Sequence, residues 1–269
     1  MNSLVTIGAV TSREFCRDWL LWNIEKQTYR PLEVVLVDAA ADFVADFEGG
    51  PMSRRSFASY EAVALAADYT LGNGIKWKVR YPARHSTCGE LRNIVLEHAT
   101  GDSLCWFDDD DWQHPERVAW MQEELSASSE PWAGWDRGWL WDLFSPRVVR
   151  IGGYPGYQRV VNAATLYRTD VARSIEYDAK PKASDGRWIV RLQERYKTHG
   201  LILTDSRVHA LWTRNGMNTS PTWPPGGHVS KTALQALVGP HYWGDASDSR
   251  FLALTDAFRV ARASRLPSP

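Results

Sequence analysis

The chain is poor in cysteine, with Cys16, Cys88 and Cys105 widely spaced and odd in number. That excludes a disulfide framework and predicts reduced core thiols in a cytoplasmic protein. It has no excess of charge of one sign. A net charge of -1 removes any global electrostatic reason to bind nucleic acid or an anionic membrane, leaving only a local basic groove for either. Long hydrophobic runs are missing as well. No apolar segment is long enough to span a bilayer, and no basic start leads into a signal-like apolar core, so no membrane insertion is expected. There is no internal repeat and no low-complexity tract. With 44% hydrophobic and 23% charged residues, 269 residues suffice for one large domain or two fused lobes with ample core. Tryptophan is the one excess, at 14 residues. Most should serve packing, but indole faces also make platforms for sugar rings and nucleobases.

The sharpest local feature is Asp108-Asp109-Asp110-Asp111. Such crowded like charges repel unless a cation sits among them. The apolar run Ser103 to Phe107 precedes them and reads as a buried strand; Pro115 follows and reads as the first turn of a helix. The carboxylates therefore fall at the C-terminal end of a strand, where open α/β sheets bind ligands. Asp108 and Asp110 share a face if extended geometry persists, and hard oxygens of this kind suit Mg²⁺ or Mn²⁺ carrying a phosphorylated substrate. The competing reading is a solvated acidic turn at a helix start. A calcium loop of EF-hand type is excluded because its spaced ligands and central glycine are missing. Asp38 also ends an apolar strand and either binds a ribose hydroxyl or base edge, or caps a turn. Arg84, His85 and Arg92 flank the start of the helix before the Asp strand, and arginine there pairs with phosphate or with the carboxylates.

Periodicity organises the rest. Strands are predicted at Leu4 to Val10, Glu33 to Val37, Ile75 to Arg80 and Ser103 to Phe107. They are separated by helices whose starts carry capping-box spacing at Thr11 with Glu14 and Thr87 with Glu90, and by a further helix around Ser59 to Ala67. This alternation predicts parallel pairing in a doubly wound sheet. Trp132 to Asp142, Arg147 to Ile151 and Val160 to Arg168 read as antiparallel or edge strands. A helix is expected over Ser184 to Lys197, with Trp188, Ile189 and Leu192 inward. Short strands follow at Leu201 to Leu203 and Arg207 to Arg214, then a Pro- and Gly-rich loop over Gly216 to His228 and helices around Val229 to Val238 and Ser249 to Ala263.

In this order the pieces resemble the family 2 glycosyltransferases. Leu4 to Arg13, Gln27-Thr28-Tyr29 and Leu32 to Asp38 look like that family's opening strand, helix end and second strand. Arg92-Asn93 with Ala99-Thr100-Gly101-Asp102 is similar to its Arg-Asn helix and following turn. Phe107 to Val118 is similar to its Asp-x-Asp motif. The likeness covers roughly the first 120 residues. It implies an α/β fold of GT-A type, a Rossmann-like mixed sheet with flanking helices. A nucleotide-sugar-binding half over 1–112 would be fused to an acceptor-binding half over 113–215, with a C-terminal loop and helices over 216–269.

The resemblance further implies a nucleoside-diphosphate sugar donor (a UDP-sugar by family habit), Mn²⁺ or Mg²⁺ on its diphosphate, and inversion at the sugar carbon. Asp110 would be the metal ligand, with Asp108 and Asp109 contacting metal, ribose or sugar. Ala9 and Thr11 match positions lining the base, and Asp38 matches the nucleoside-binding acid. Inversion needs a general base near the acceptor hydroxyl. Ser184-Asp185-Gly186-Arg187-Trp188 is the best match, making Asp185 the candidate base, although Asp also caps helices well. Trp188 either shapes the acceptor site or packs in the core. Two departures stand out. Asp38-Ala39-Ala40-Ala41 replaces the family's Asp-Asp-Gly-Ser, and Asn215 stands where many members carry a late metal-side His, with His209 and His228 as candidate substitutes.

Two other classes compete. A nucleotidyltransferase needs a glycine-rich basic loop after the first strand, and Ile7 to Arg13 supplies one Gly and one Arg. A non-catalytic sugar- or nucleotide-binding protein of the same fold is the other. The acceptor stays open among a glycan, a lipid-linked sugar, a protein side chain and a hydroxylated nucleobase in DNA. The tryptophans from Trp132 to Trp141 could stack sugars or bases.

Overall fold

Val5–Thr11 (β1) and Leu32–Asp38 (β2) are nearly continuous apolar runs, and both are buried along their length. Strands covered on both faces are what a parallel sheet requires. In a computed structural model describing residues 3–39, 67–70, 73–82, 87–142, 148–152, 161–179, 184–204, 208–214, 228–229 and 245–263, these two form the centre of the larger sheet. The other strands are β3 (Ala67–Thr70), β4 (Lys76–Arg80), β5 (Ser103–Asp108), β6 (Trp112–Gln113), β7 (Trp132–Trp135), β8 (Arg137–Asp142), β9 (Val148–Gly152), β10 (Thr165–Arg168), β11 (Leu201–Leu203), β12 (Ala210–Arg214) and β13 (His228–Val229). The helices are α1 (Arg17–Glu25), α2 (Cys88–His98), α3 (Arg117–Ser126), α4 (Thr169–Arg173), α5 (Ser184–Tyr196) and α6 (Asp245–Ala263).

Among the described residues, eight strands form one sheet in the order β11-β7-β10-β5-β1-β2-β4-β3. β5, β1, β2 and β4 are mutually parallel, β3 and β10 run antiparallel to their neighbours β4 and β5, and β11 is parallel to β7. The chain moves outward from β1 to β2 and β4, then returns to β5 on the other side of β1. That reversal creates a switch point between the C-terminal ends of β1 and β5. Successive residues of each strand supply opposite cores. Ile7, Cys105 and Phe107 face the layer holding Leu20, Ile24 and Met121, while Trp106 and Leu104 face Val95, Tyr167 and Trp188. Burying each such aliphatic or aromatic side chain contributes about 1.5–3 kcal/mol.

Most of the expected strands, and the helices expected at Ser184 to Lys197 and Ser249 to Ala263, form within a few residues of their predicted bounds; the strand expected from Val160 begins only at Thr165, after a 3-10 turn Asn162–Ala164. The capping box at Thr87 and Glu90 is present at the start of α2. The one expected at Thr11 and Glu14 is not: Thr11 ends β1, the chain continues as a 3-10 turn Glu14–Cys16, and the Thr11 hydroxyl bonds Asp109 instead. The helix expected at Pro115 begins at Arg117. The run from Trp132 to Asp142 is two strands, not one. β7 belongs to the large sheet, whereas β8 joins β13-β9-β8-β12-β6 in a second sheet. Its tryptophans accordingly serve three separate cores, Trp132 and Trp135 on the two faces of the large sheet and Trp141 beside Phe251 of α6, so these three rings are spent on packing rather than on an open stacking platform. Apart from Ala67, which opens β3, and His228–Val229, the expected helix at 59–67, the loop at 216–228 and the helix at 229–238 lie outside the described residues.

Candidate active site

The C-terminal ends of the parallel strands bring acids from distant parts of the sequence into one row. Register pairs Asp38 of β2 with Thr11 of β1, and Val10 of β1 with Asp108 of β5. Asp109, Asp110 and Asp111 make the turn out of β5, with the Asp111 N–H on the Asp108 carbonyl at 3.4 Å. The second sheet holds that turn from below. The Thr213 N–H of β12 donates to Asp111 Oδ1 at 2.8 Å, the Thr213 hydroxyl donates to the Asp110 carbonyl at 2.9 Å, and the Trp19 indole donates to the Asp111 carbonyl at 3.0 Å. Asp111 is thus a structural acid turned towards β12, consistent with its place last in the run.

Three arginines supply the positive charge. Arg13, just past β1, donates through Nε to Asp109 Oδ2 at 3.2 Å and through Nη1 to Asp110 Oδ2 at 3.1 Å, and its Nη2 reaches Asp109 Oδ1 more closely still. The Thr11 hydroxyl donates to the same Asp109 carboxylate at 2.6 Å. Arg17 pairs with Asp38 at 2.5 Å. Arg92 of α2 lies over the adjoining rings of Trp106 and Tyr177, at 5.5 and 5.6 Å, and reaches Asp108 at 3.3 Å and Asp185 at 3.4 Å. One guanidinium therefore joins Asp108 of β5 to the first turn of α5.

Electrostatics follow from this crowding. Burial raises the pKa of Asp108, Asp110 and Asp111 above the ordinary carboxylate range; Arg92 opposes it at Asp108, Arg13 opposes it at Asp110, and Asp110 and Asp108 reinforce it at Asp111. The Asp108 side chain is nevertheless 39% open to solvent. Burial works against the Arg13 charge, but Asp110 and Asp109 outweigh it and hold its pKa above the ordinary value.

The remaining predicted site residues fall as follows. Ala9 is wholly buried two residues back in β1, within the core and away from the open strand end. Trp188 is also fully buried, with its indole N–H on the Ile175 carbonyl at 2.6 Å and its ring stacked on Tyr177 at 4.5 Å, so it packs behind the Arg92 platform. His209 is buried in a stack on Trp135 with centroids 4.1 Å apart. His228 opens β13 opposite Val149. Arg84 and Asn215 lie outside the described residues. Arg13 and Arg17 were not among the predicted site residues. Their only local signal is one basic residue just past the first strand and another at the start of α1, and their partners lie 96 and 21 residues away.

A divalent ion fits this residue set in one form. Among the described residues, no three His, Cys, Asp or Glu side chains gather into a metal-holding group. Asp108 and Asp110 supply hard oxygens at a strand end where like charge is already in excess. That donor set matches an ion held by one or two carboxylates and completed by phosphate oxygens and water, the usual habit of Mg²⁺ at nucleotide sites.

No protein-family model and no curated protein matches the sequence. Solved structures do match the fold. TarS 1-349 of S. aureus in complex with UDP-GlcNAc aligns with a TM-score of 0.53 at 16% identity, covering 96% of this chain and 73% of that one. The mannosyltransferase PcManGT from Pyrobaculum calidifontis, in complex with GDP-Man and Mn²⁺, aligns with a TM-score of 0.52 at 14% identity, covering 100% and 77%. Against TarS 1-349 without ligand the TM-score is 0.52 at 16% identity, and the chain spans 60% of that protein's length. At these identities the likeness is one of fold: a mixed α/β sheet flanked by helices, of the GT-A type expected from the sequence.

Proposed function

We propose that the chain is a metal-dependent, inverting glycosyltransferase that moves a sugar from a nucleoside-diphosphate sugar to an acceptor hydroxyl. The observation that carries this reading is the bridge made by Arg92. It ties Asp108, at the switch point of the sheet, to Asp185 at the start of α5, so one guanidinium holds the acid that would face the donor and the candidate base close together. On a GT-A-type sheet, Asp38 would take the nucleoside and Thr11 would help shape its seat, with Ala9 behind it in the core. Asp110 and Asp108 would hold Mn²⁺ or Mg²⁺ on the diphosphate, and Asp109 would be fixed by Thr11 and Arg13. The ion would neutralise charge developing on the leaving diphosphate. Asp185, with 44% of its side chain exposed, would accept the proton of an incoming hydroxyl on the side it does not turn to Arg92. The neighbours' ligands, UDP-GlcNAc and GDP-Man with Mn²⁺, support a nucleotide-sugar donor.

The domain reading goes with this. Residues 1–112 would bind the donor and 113–215 would build the acceptor side, with 216–269 closing the C-terminal part. No helix among the described residues is long and apolar enough to cross a membrane, so an acceptor reached from solution is favoured.

The test is a screen of nucleoside diphosphates and their sugars with Mn²⁺ and Mg²⁺, read by thermal shift and by donor hydrolysis. Metal-dependent stabilisation by at least one nucleotide is expected, and its absence throughout would sink the reading. Asp185→Asn should keep donor affinity while kcat drops by about 10²–10⁴. Unchanged turnover in that variant would remove Asp185 from the base role, and donor binding without turnover in the wild type would favour the non-catalytic alternative.

A further inference from the structure

We infer that Arg13 is a built-in competitor of the divalent ion, a guanidinium seated on the Asp109–Asp110 pair that has to leave Asp110 for the ion to bind. The inference rests on the metal part of the proposed function. Three observations carry it. The first is geometry: one fork spans two adjacent carboxylates, with Nε and Nη2 on Asp109 and Nη1 on Asp110 Oδ2 at 3.1 Å. A guanidinium so placed uses the same oxygen lone pairs that a hard cation would take. The second is support from behind. The Thr11 hydroxyl accepts from the Arg13 N–H at 3.2 Å, and the guanidinium lies over the Phe258 ring of α6 at 5.3 Å. Arg13 is thus seated by the strand end and by the C-terminal helix together. The third is access. With 22% of its side chain exposed, Arg13 stands at the mouth of the cluster and has solvent to move into, whereas Arg92 has only 7%.

Asp109 keeps its Thr11 bond when Arg13 shifts, so the contact given up is the one to Asp110. The expected result is weak uptake of the ion alone and stronger uptake once a diphosphate brings its own oxygens. A positive charge 3.1 Å from the metal-side oxygen repels a second cation directly.

The experiment is a titration of the full chain with Mn²⁺ alone, the free ion counted by electron paramagnetic resonance. Arg13→Gln should bind Mn²⁺ at least tenfold more tightly than the wild type, and adding Asp110→Asn to it should abolish the gain. General damage to the fold would weaken binding, so tightening is a readout that a merely structural role does not produce. Arg13→Lys keeps the charge but cannot span both carboxylates, and an intermediate gain of about threefold is expected. If Arg13→Gln fails to fold by circular dichroism, the Lys variant decides alone. Equal or weaker Mn²⁺ binding in the folded variants, or no binding in any of them, overturns the inference. The donor reading is decided separately by nucleotide-dependent stabilisation of the wild type, so either can fail without the other.

Discussion

Glu33 is a carboxylate in the middle of a parallel sheet, 1% exposed, and its survival there is a matter of partners. It accepts from the Thr6 hydroxyl at 2.8 Å, the Thr100 N–H at 2.7 Å and the Thr100 hydroxyl at 2.5 Å, and pairs with Lys78 at 2.6 Å. Burial works against its charge, but Lys78, Thr100 and Thr6 outweigh it and hold its pKa below the ordinary value. The native state therefore binds this proton less readily than the unfolded chain. Its contribution is fully present above the unfolded value of about 4.3 and is lost as pH falls through the lower folded value. Glu33→Gln should cost about 2 kcal/mol near neutral pH, with the difference from wild type shrinking below about pH 4. Urea unfolding at the two pH values checks this, and a pH-independent difference would contradict the linkage. The acids of the candidate site were legible for a related reason: Asp38 and Asp108 each end an apolar run, and polarity after a buried strand marks its open end. Which cation each one meets was not legible, because Arg13 and Asp109 stand 96 residues apart and neither pattern nor spacing encodes that pairing.

At the scale of elements, the close approach of α2 to β1 sets where Arg92 stands. Gly8 makes it workable. A Cβ there would lie 2.6 Å from Val95 Cγ1 and 2.9 Å from the Trp106 ring, inside van der Waals contact with two buried side chains. Gly8→Ala should destabilise by about 1–3 kcal/mol through overpacking. Donor affinity should fall alongside it, because Trp106 is one wall of the Arg92 seat. A variant as stable as the wild type in chemical denaturation would show that α2 can retreat freely. Elements with strong local signals were read well: the apolar runs of β1, β2 and β5 and the capping box of α2 all form. The Thr11 box failed because its hydroxyl had a stronger partner in the Asp109 carboxylate than in a backbone N–H. The strand from Trp132 failed differently. Strand propensity is continuous across Asp136, and the change of sheet at that residue depends on what Leu211 to Arg214 pair with, a contact made 72 residues later that no local period records.

Among the described residues the chain forms two sheets, and the acidic turn after β5 is one of the places where they meet, with Asp111 as its joint. Its carboxylate takes the Thr213 N–H of β12, while its backbone carbonyl takes the Trp19 indole next to α6. Burial pushes its pKa well above the ordinary value, and the Asp110 and Asp108 charges push the same way. The joint therefore needs an acceptor oxygen on that side chain and does not need its charge. Asp111→Asn supplies the oxygen and relieves repulsion within the cluster, so its stability near neutral pH should equal or exceed that of the wild type. Asp111→Ala removes the oxygen, leaves the Thr213 N–H unpaired in a buried place, and should cost about 1–3 kcal/mol. Paired urea denaturation of the two variants separates the roles. A large loss in the Asn variant, comparable to that in Ala, would mean that the charge itself is required. The expected order, Asn at or above wild type and Ala below, would assign Asp111 to holding β12 of the second sheet against the turn after β5.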